Sequence, residues 1–345
     1  MYIKKYEMID RTKRTVRVYF DMSDDNTAKW LENGLAQYGM ICPTPKMAHL
    51  DSVERGFTIT GNTNLTLSDI DVNSCCKFGM FISQNEGTLV MDDVNFVPAD
   101  NELDKNMNFT SWRDAFHVKD NRCSIIWKNC TATGNYDDVF NISSSTLYVS
   151  AYSANDNKLS LVCNELRQGV YYPIKAGDTL QIIDTVTGTE YNNVSVVEVV
   201  SQKNGENIVI IDKKLTGFGT AGTSCLAFFT NRCAPDSIIE NCDFSGTFRF
   251  RGPITIKNSK LYNFRIWIDI ERDIEGPVPS GITFYNCDIT GNPSSSVIIN
   301  SYSPSPNGYH ISNITFDSCV LDMDTFEIGE NDMDYVSFVN CSEHQ

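Results

Sequence analysis

The chain has 345 residues, 41% of them hydrophobic, with a net charge of −16 and an isoelectric point near 4.6. That balance disfavours nucleic acid and anionic membrane surfaces as general partners, since both want a basic face, and it leaves neutral ligands such as sugars open. No run of 18 apolar residues occurs, so no membrane-spanning helix is expected. The first residues lack an apolar signal region, which predicts a cytoplasmic, processed or fragmentary chain.

Residues 1–56 are the least patterned and read as an N-terminal cap or first rungs. Val16, Val18 and Phe20 alternate with polar neighbours as in a strand. Residues 27–38 have the composition of a short helix.

A repeat starts at Phe57: apolar-x-apolar-x-(Asn/Asp)-(Cys/Ile/Val)-x-apolar. Its copies are anchored on Leu65, Leu67 and Asp69, then Leu89, Met91 and Asp93, then Ile125, Trp127 and Asn129. It returns at Ile254, Ile256 and Asn258, at Ile282, Phe284 and Asn286, at Ile314, Phe316 and Ser318, and at Val336, Phe338 and Asn340. A weaker copy carries Asn241 and Cys242. Alternation of period two marks strands with one buried face. An Asn at a fixed turn takes left-handed geometry and can form a stacked ladder. Short repeated strands without helical signals predict an all-β fold, a right-handed parallel β-helix over residues 57–142 and 231–345.

Twelve cysteines are present. Cys130, Cys242, Cys287, Cys319 and Cys341 recur at one position of the repeat, which predicts buried free thiols rather than a disulfide framework. Without a Cys-x-x-Cys pair and with four histidines, no zinc site is expected, and neither a metal nor another cofactor is assigned.

Residues 143–230 break the repeat. Apolar alternation at 146–150, 158–162, 178–184, 194–200 and 207–212, separated by polar turns, predicts an inserted small antiparallel β-barrel or sandwich.

The break follows directly on an internal echo. At an offset of 24 residues, Asp114 falls on Asp138, Phe116 on Phe140, His117 on Asn141 and Val118 on Ile142. In a parallel solenoid such residues stack about 4.8 Å apart, with Asp137 flanking the pair. Two carboxylates at about 5 Å repel by roughly 3 kcal/mol at an effective dielectric near 20, or about two pKa units. One would stay protonated near neutral pH, as glycosidic cleavage by an acid and a base requires. A calcium-binding aspartate ladder and a solvated acidic turn are the alternatives. Phe116, Val118, Phe140 and Ile142 are expected in the core. His117 and Asn141 are expected outward, in reach of sugar hydroxyls. Trp112, Arg265 and Trp267 alternate outward too, toward the same groove. Arg249 and Arg251 follow the insert, placed either to pair with the acids or to bind substrate.

The aspartate rung, the Asn-Cys turn, the paired aspartates on the next rung and the Arg249-Phe250-Arg251-Gly252 segment after the insert resemble glycoside hydrolase family 110 over residues 57–299. The resemblance implies a parallel β-helix with inserted barrel material. It also implies an inverting exo-glycosidase that removes terminal α-1,3-linked galactose from an oligosaccharide or glycan, secreted or periplasmic. Asp137 would be the general acid, and Asp114 and Asp138 would hold and activate water. Polygalacturonases share the single-then-paired aspartates, but this chain lacks their Gly-His-Gly, and Trp267 replaces a basic residue, which disfavours galacturonan. A non-catalytic carbohydrate-binding β-helix of the adhesin or phage type, and a polysaccharide lyase, are the competing functions.

Overall fold

All eight copies of the repeat place their Asn, Asp or Ser turn residue in the left-handed region: Asp69, Asp93, Asn129, Asn241, Asn258, Asn286, Ser318 and Asn340 have φ between 51° and 58°. Asn and Asp tolerate this geometry best among residues with a side chain. The turn bends each apolar strand sharply into the next face. The computed structural model describes residues 3–10, 12, 15–20, 55–73, 75, 78–98, 110–163, 173–203, 205–219, 221–262, 265–270, 275–290 and 297–344.

The fold is all-β and built as a parallel β-helix. Its first face stacks Thr63–Val72, Glu86–Phe96, Ser124–Lys128, Ser237–Glu240, Ile254–Lys257, Ser280–Tyr285, Ser312–Asp317 and Val336–Val339 in parallel register. The third position of the repeat forms one column, buried from Met91 to Phe316 and partly open at its two ends: Leu67 lies beside Met91, then Trp127, Ile239, Ile256, Phe284, Phe316 and Phe338. The Phe284 and Phe316 rings stack at 4.6 Å. Period-two alternation therefore supplies an apolar stack with native-like interior packing.

In six of the eight copies the residue after the turn is a Cys or Ser that donates a hydrogen bond back. The thiols of Cys130, Cys242, Cys287, Cys319 and Cys341 reach the carbonyl two residues earlier at 3.1–3.5 Å. Ser259 repeats the contact with its hydroxyl at 2.8 Å. A small residue with a weak donor fits this slot, which is why Cys recurs there. All ten described cysteines are free thiols.

Short strands follow the turn, from Thr131–Ala132 to Ser342–Glu343. A parallel sheet of eight strands forms the next face: Arg55–Thr60, Phe78–Ser83, Phe116–Lys119, Asp138–Ser143, Thr247–Phe250, Ile266–Asp269, Val297–Asn300 and Phe326–Ile328. It carries the aspartate rungs.

Between Asp138–Ser143 and Thr247–Phe250 the chain forms a closed six-stranded antiparallel barrel, in the order Thr146–Ser153, Lys158–Cys163, Glu206–Ile211, Glu190–Lys203, Thr179–Asp184 and Gly222–Phe229. Closure removes exposed strand edges. The barrel has its own core, with Val149, Leu161, Ile182 and Phe229 among its members. Ile183, Leu226 and Phe228 turn the other way and join the helix core. Buried Asp178 takes Arg122 from the helix and Arg232 from the barrel exit as partners. The Phe229 amide donates to Ser144 Oγ at 3.1 Å, tying exit to entry. The rungs on either side of the insert then stack as neighbours: the Ile125 amide donates to Ser237 Oγ at 2.9 Å across 112 residues of sequence.

A separate unit comprises residues 1–54 and 99–108. Its described part is the antiparallel hairpin Ile3–Asp10 with Thr15–Phe20. The helix expected at 27–38 lies outside the described residues. No helix among the described residues is long and apolar enough to cross a membrane.

Candidate active site

The 24-residue echo is physically stacked and is longer than the aspartates alone. Ser111 bridges to Asn135, Trp112 faces Tyr136 at 5.3 Å, and Arg113 Nε meets Asp137 Oδ2 at 3.0 Å. The Ala115 amide donates to the Asp138 carbonyl at 2.9 Å. Phe116, His117 and Val118 then pair with Phe140, Asn141 and Ile142. The alternate residues Phe116, Val118, Phe140 and Ile142 lie in the core.

Asp114, Asp137 and Asp138 converge: one carboxylate oxygen of each lies within 4.8 Å of the others. Asp114 and Asp138 are 2% and 3% exposed, whereas the Asp137 side chain is 34% exposed. This is a half-covered cluster, not a solvated turn. Burial pushes the Asp114 carboxyl well above the usual range, and the Asp137 charge adds to this against the opposing pull of Arg113. Burial likewise raises Asp138, helped by Asp114 and opposed by Arg249. The two buried acids therefore hold a proton more readily than an exposed carboxylate does.

The surrounding network corrects several expectations. His117 and Asn141 alternate away from the core but are not presented to solvent. His117 Nδ1 lies 2.6 Å from Asp114 Oδ2, with its ring 4.5 Å from Phe78 and 5.3 Å from Phe81. The Asn141 amide donates to Glu275 Oε2 at 3.0 Å, and its carbonyl accepts from Ser143 Oγ. Arg251 is fully buried and pairs with Asp269 at 2.8 Å, which rules it out as a substrate contact. Arg249 sits 2.8 Å from Asp138 Oδ2, with its guanidinium 4.1 Å over the Trp267 ring. The Trp267 ring is thus engaged by a cation rather than offered bare to a sugar. Arg265 stays exposed just before the strand Ile266–Asp269, 5.9 Å from the same ring. Trp112 is half-buried against Tyr136, at the rim beside Arg113.

Four participants were not singled out from the sequence. Arg113 carries the same 24-residue signal and was legible from it. Lys119, Asp269 and Glu275 carry none. Lys119 Nζ lies 3.5 Å from Glu275 Oε1, and Arg249 Nη1 lies 3.9 Å from Glu275 Oε2. Burial alone would push Glu275 up, but Lys119, His117, Arg251 and the Asn141 amide outweigh it and hold the carboxyl down to about 2. Asp269 is raised by burial against the pull of Arg251 and Arg249.

The aspartate oxygens are close enough to embrace a cation. Their charge is already met by Arg113 on Asp137 and by Arg249 on Asp138, so the donor set does not fit a calcium ion, which needs several uncommitted oxygens.

No protein-family model and no curated protein matches the chain. Among solved structures it is similar to the Gp54 tailspike of Acinetobacter baumannii bacteriophage AP22, determined in complex with A. baumannii capsular saccharide, at 13% identity and a TM-score of 0.17. The similarity covers 77% of this chain, which spans about two fifths (41%) of the tailspike chain. At that identity and score it bears on neither the ligand nor the chemistry of this protein.

Proposed function

We propose that the aspartate cluster is a glycosidase active site. The observation that supports it is the convergence of three carboxylates within 4.8 Å, two buried and one at the rim. Glycosidic cleavage needs a proton donor for the leaving oxygen and a second carboxyl group on the opposite side of the bond. The Asp114–Asp138 pair is the proton source in this reading. Asp137, steered by Arg113, is the carboxylate that faces the sugar. This exchanges the roles that the family resemblance implies, because the rim residue is the one a substrate reaches.

The finer identity, hydrolysis of terminal α-1,3-linked galactose, follows from the resemblance of the aspartate rungs and of Arg249 to family 110. The inversion implied by that resemblance has less support. The three oxygens cluster more tightly than the roughly 6.5–9.5 Å between carboxyl groups of typical inverting pairs, and nearer the roughly 5–5.5 Å of retaining ones. Proton NMR of the first product formed from an α-1,3-galactobioside tests both points. Early α-galactose supports retention and early β-galactose supports inversion, and either keeps the glycosidase reading. Absence of any released galactose, with equal binding by wild type and D137N, removes it.

The near-complete burial of Asp114 and Asp138 favours a second reading. The cluster would then be a charged lining of the rungs, in a β-helix that binds a glycan without cutting it.

A further inference from the structure

A cavity of about 670 Å³ opens at the far end of the same sheet, beyond Val297–Asn300. Its walls are Asn300 to Ser303, Tyr309, the turn around Asp332, and Thr185 and Leu226 of the barrel. It lies where two folded parts meet, and its volume is that of a small-ligand site. Asn300 ends a strand three steps across the sheet from the one that Asp138 begins. That is about 14 Å in the pairing direction alone, with a further offset along the strands, so one monosaccharide cannot touch both places.

Its most unusual member is Tyr302. The residue has a φ of +50°, which a bulky side chain adopts at a cost of about 1–2 kcal/mol. Three contacts hold it there. The Tyr302 amide donates to Asn300 Oδ1 at 2.7 Å. The Ser301 amide and hydroxyl donate to Asp332 Oδ2 at 2.7 and 2.9 Å. Asp332 is 1% exposed, and its other oxygen lies 3.4 Å from His310 Nδ1. On the other side, the Tyr309 amide donates to the carbonyl of Gly188 in the barrel at 2.8 Å. The surroundings therefore fix a strained turn, yet the tyrosine it carries is 49% exposed. Strain that the fold holds in place under an exposed aromatic marks a preorganised contact.

The lining sets the ligand class. It offers hydroxyls, amides and an aromatic face. Its charged members are Glu330 and Asp332, and among the described residues no Lys or Arg lines it. Such a wall repels uronates, sulfates and phosphates and suits uncharged polyhydroxylated molecules. We propose that this cavity is a second saccharide pocket, selective for neutral sugars, with Tyr302 as its stacking platform. It does not depend on the aspartates being catalytic.

The test is calorimetric titration of α-1,3-galactobiose into the full chain carrying D137N, with and without Tyr302→Gly. Glycine removes the ring and also relieves the left-handed backbone, so this variant retains the fold. The expected result is two binding events in D137N, one of which weakens roughly tenfold or more with Tyr302→Gly and returns with Tyr302→Phe. Digalacturonic acid should not compete for the Tyr302-dependent event. Tyr302→Gly alone should release galactose at the wild-type rate from a short galactoside. Binding unchanged by Tyr302→Gly, or equal competition by digalacturonic acid, overturns the proposal. Tyr302-dependent binding without any hydrolysis by the wild type leaves this pocket standing and removes the glycosidase reading. Hydrolysis without Tyr302-dependent binding does the reverse.

Discussion

His117 Nδ1 lies 2.6 Å from Asp114 Oδ2, with the imidazole stacked beside Phe81 at 5.3 Å. The histidine turns back along its own strand to hold the acid, and its ring is packed too tightly to swing toward a substrate. In the proposed glycosidase site it is a positioning residue for Asp114. His117→Ala should therefore lower kcat by about 10–100-fold, the value of a hydrogen bond to a charged group, with little change in KM. Steady-state kinetics on an α-galactoside check this. A loss confined to KM would mean that His117 touches the sugar.

The buried acids make stability depend on pH. The Asp114 carboxyl is raised in the folded state, so the native chain binds this proton more readily than the unfolded chain. Its contribution is fully present below the ordinary carboxylate pKa near 3.8 and is lost as pH rises through the folded value. Asp114→Asn removes the charge that is costly at higher pH. Thermal melts should show the variant gaining Tm over wild type at pH 8, with the gain vanishing by about pH 4. A variant equally destabilised at both pH values would mean that the His117 pairing dominates.

Glu275 has the opposite sign. Its carboxyl is held at about 2 against an ordinary 4.5, so its stabilisation is present above pH 4.5 and is lost as pH falls toward 2. The shift corresponds to about 3 kcal/mol, within the range for breaking a buried ion pair from one side. Glu275→Gln should lower stability by about that amount at pH 7, because Lys119 and Arg249 lose a charged partner. Denaturant unfolding at pH 7 and pH 3 should show the difference shrinking in acid.

The left-handed turns can be tested one at a time. Asn129, with φ +54°, is exposed and donates to Asp92 Oδ1 at 2.8 Å. Asn129→Ala should cost about 1–2 kcal/mol, whereas Asn129→Gly should cost clearly less, since glycine accepts the conformation. Equal losses in urea unfolding would assign the turn's value to the Asp92 hydrogen bond instead.

Much of this fold was legible in the sequence because two local rules recur. Period-two alternation names the apolar column from Leu67 to Phe338, and an Asn or Asp at a fixed offset names the turn. Parallel stacking then converts equal offsets into contact, which is why Asp114 and Asp138 were placed on adjacent rungs. The same rule would have found Arg113 opposite Asp137. The barrel was legible as hairpins, but its closing strand Gly222–Phe229 was not. Its run of Cys225, Leu226, Ala227, Phe228 and Phe229 serves two cores on its two faces, so it does not alternate. Glu275 was invisible for a different reason. It lies outside any repeat and meets Asn141 across 134 residues. Only the folded chain reveals that the outward side of the site strand is roofed, and that His117, Asn141 and Arg251 are spent beneath that roof.

The central claim, that the three aspartates cut a glycosidic bond, is tested most directly by Asp137→Asn. The residue is at the rim, so its isosteric change leaves the core intact. The measurement is galactose release from α-1,3-galactobiose by wild type and D137N at equal folded concentration. The account predicts a fall of about 10²–10⁴-fold in kcat, the usual worth of a positioned acid or base, with circular dichroism unchanged. Release at the wild-type rate by D137N would contradict it.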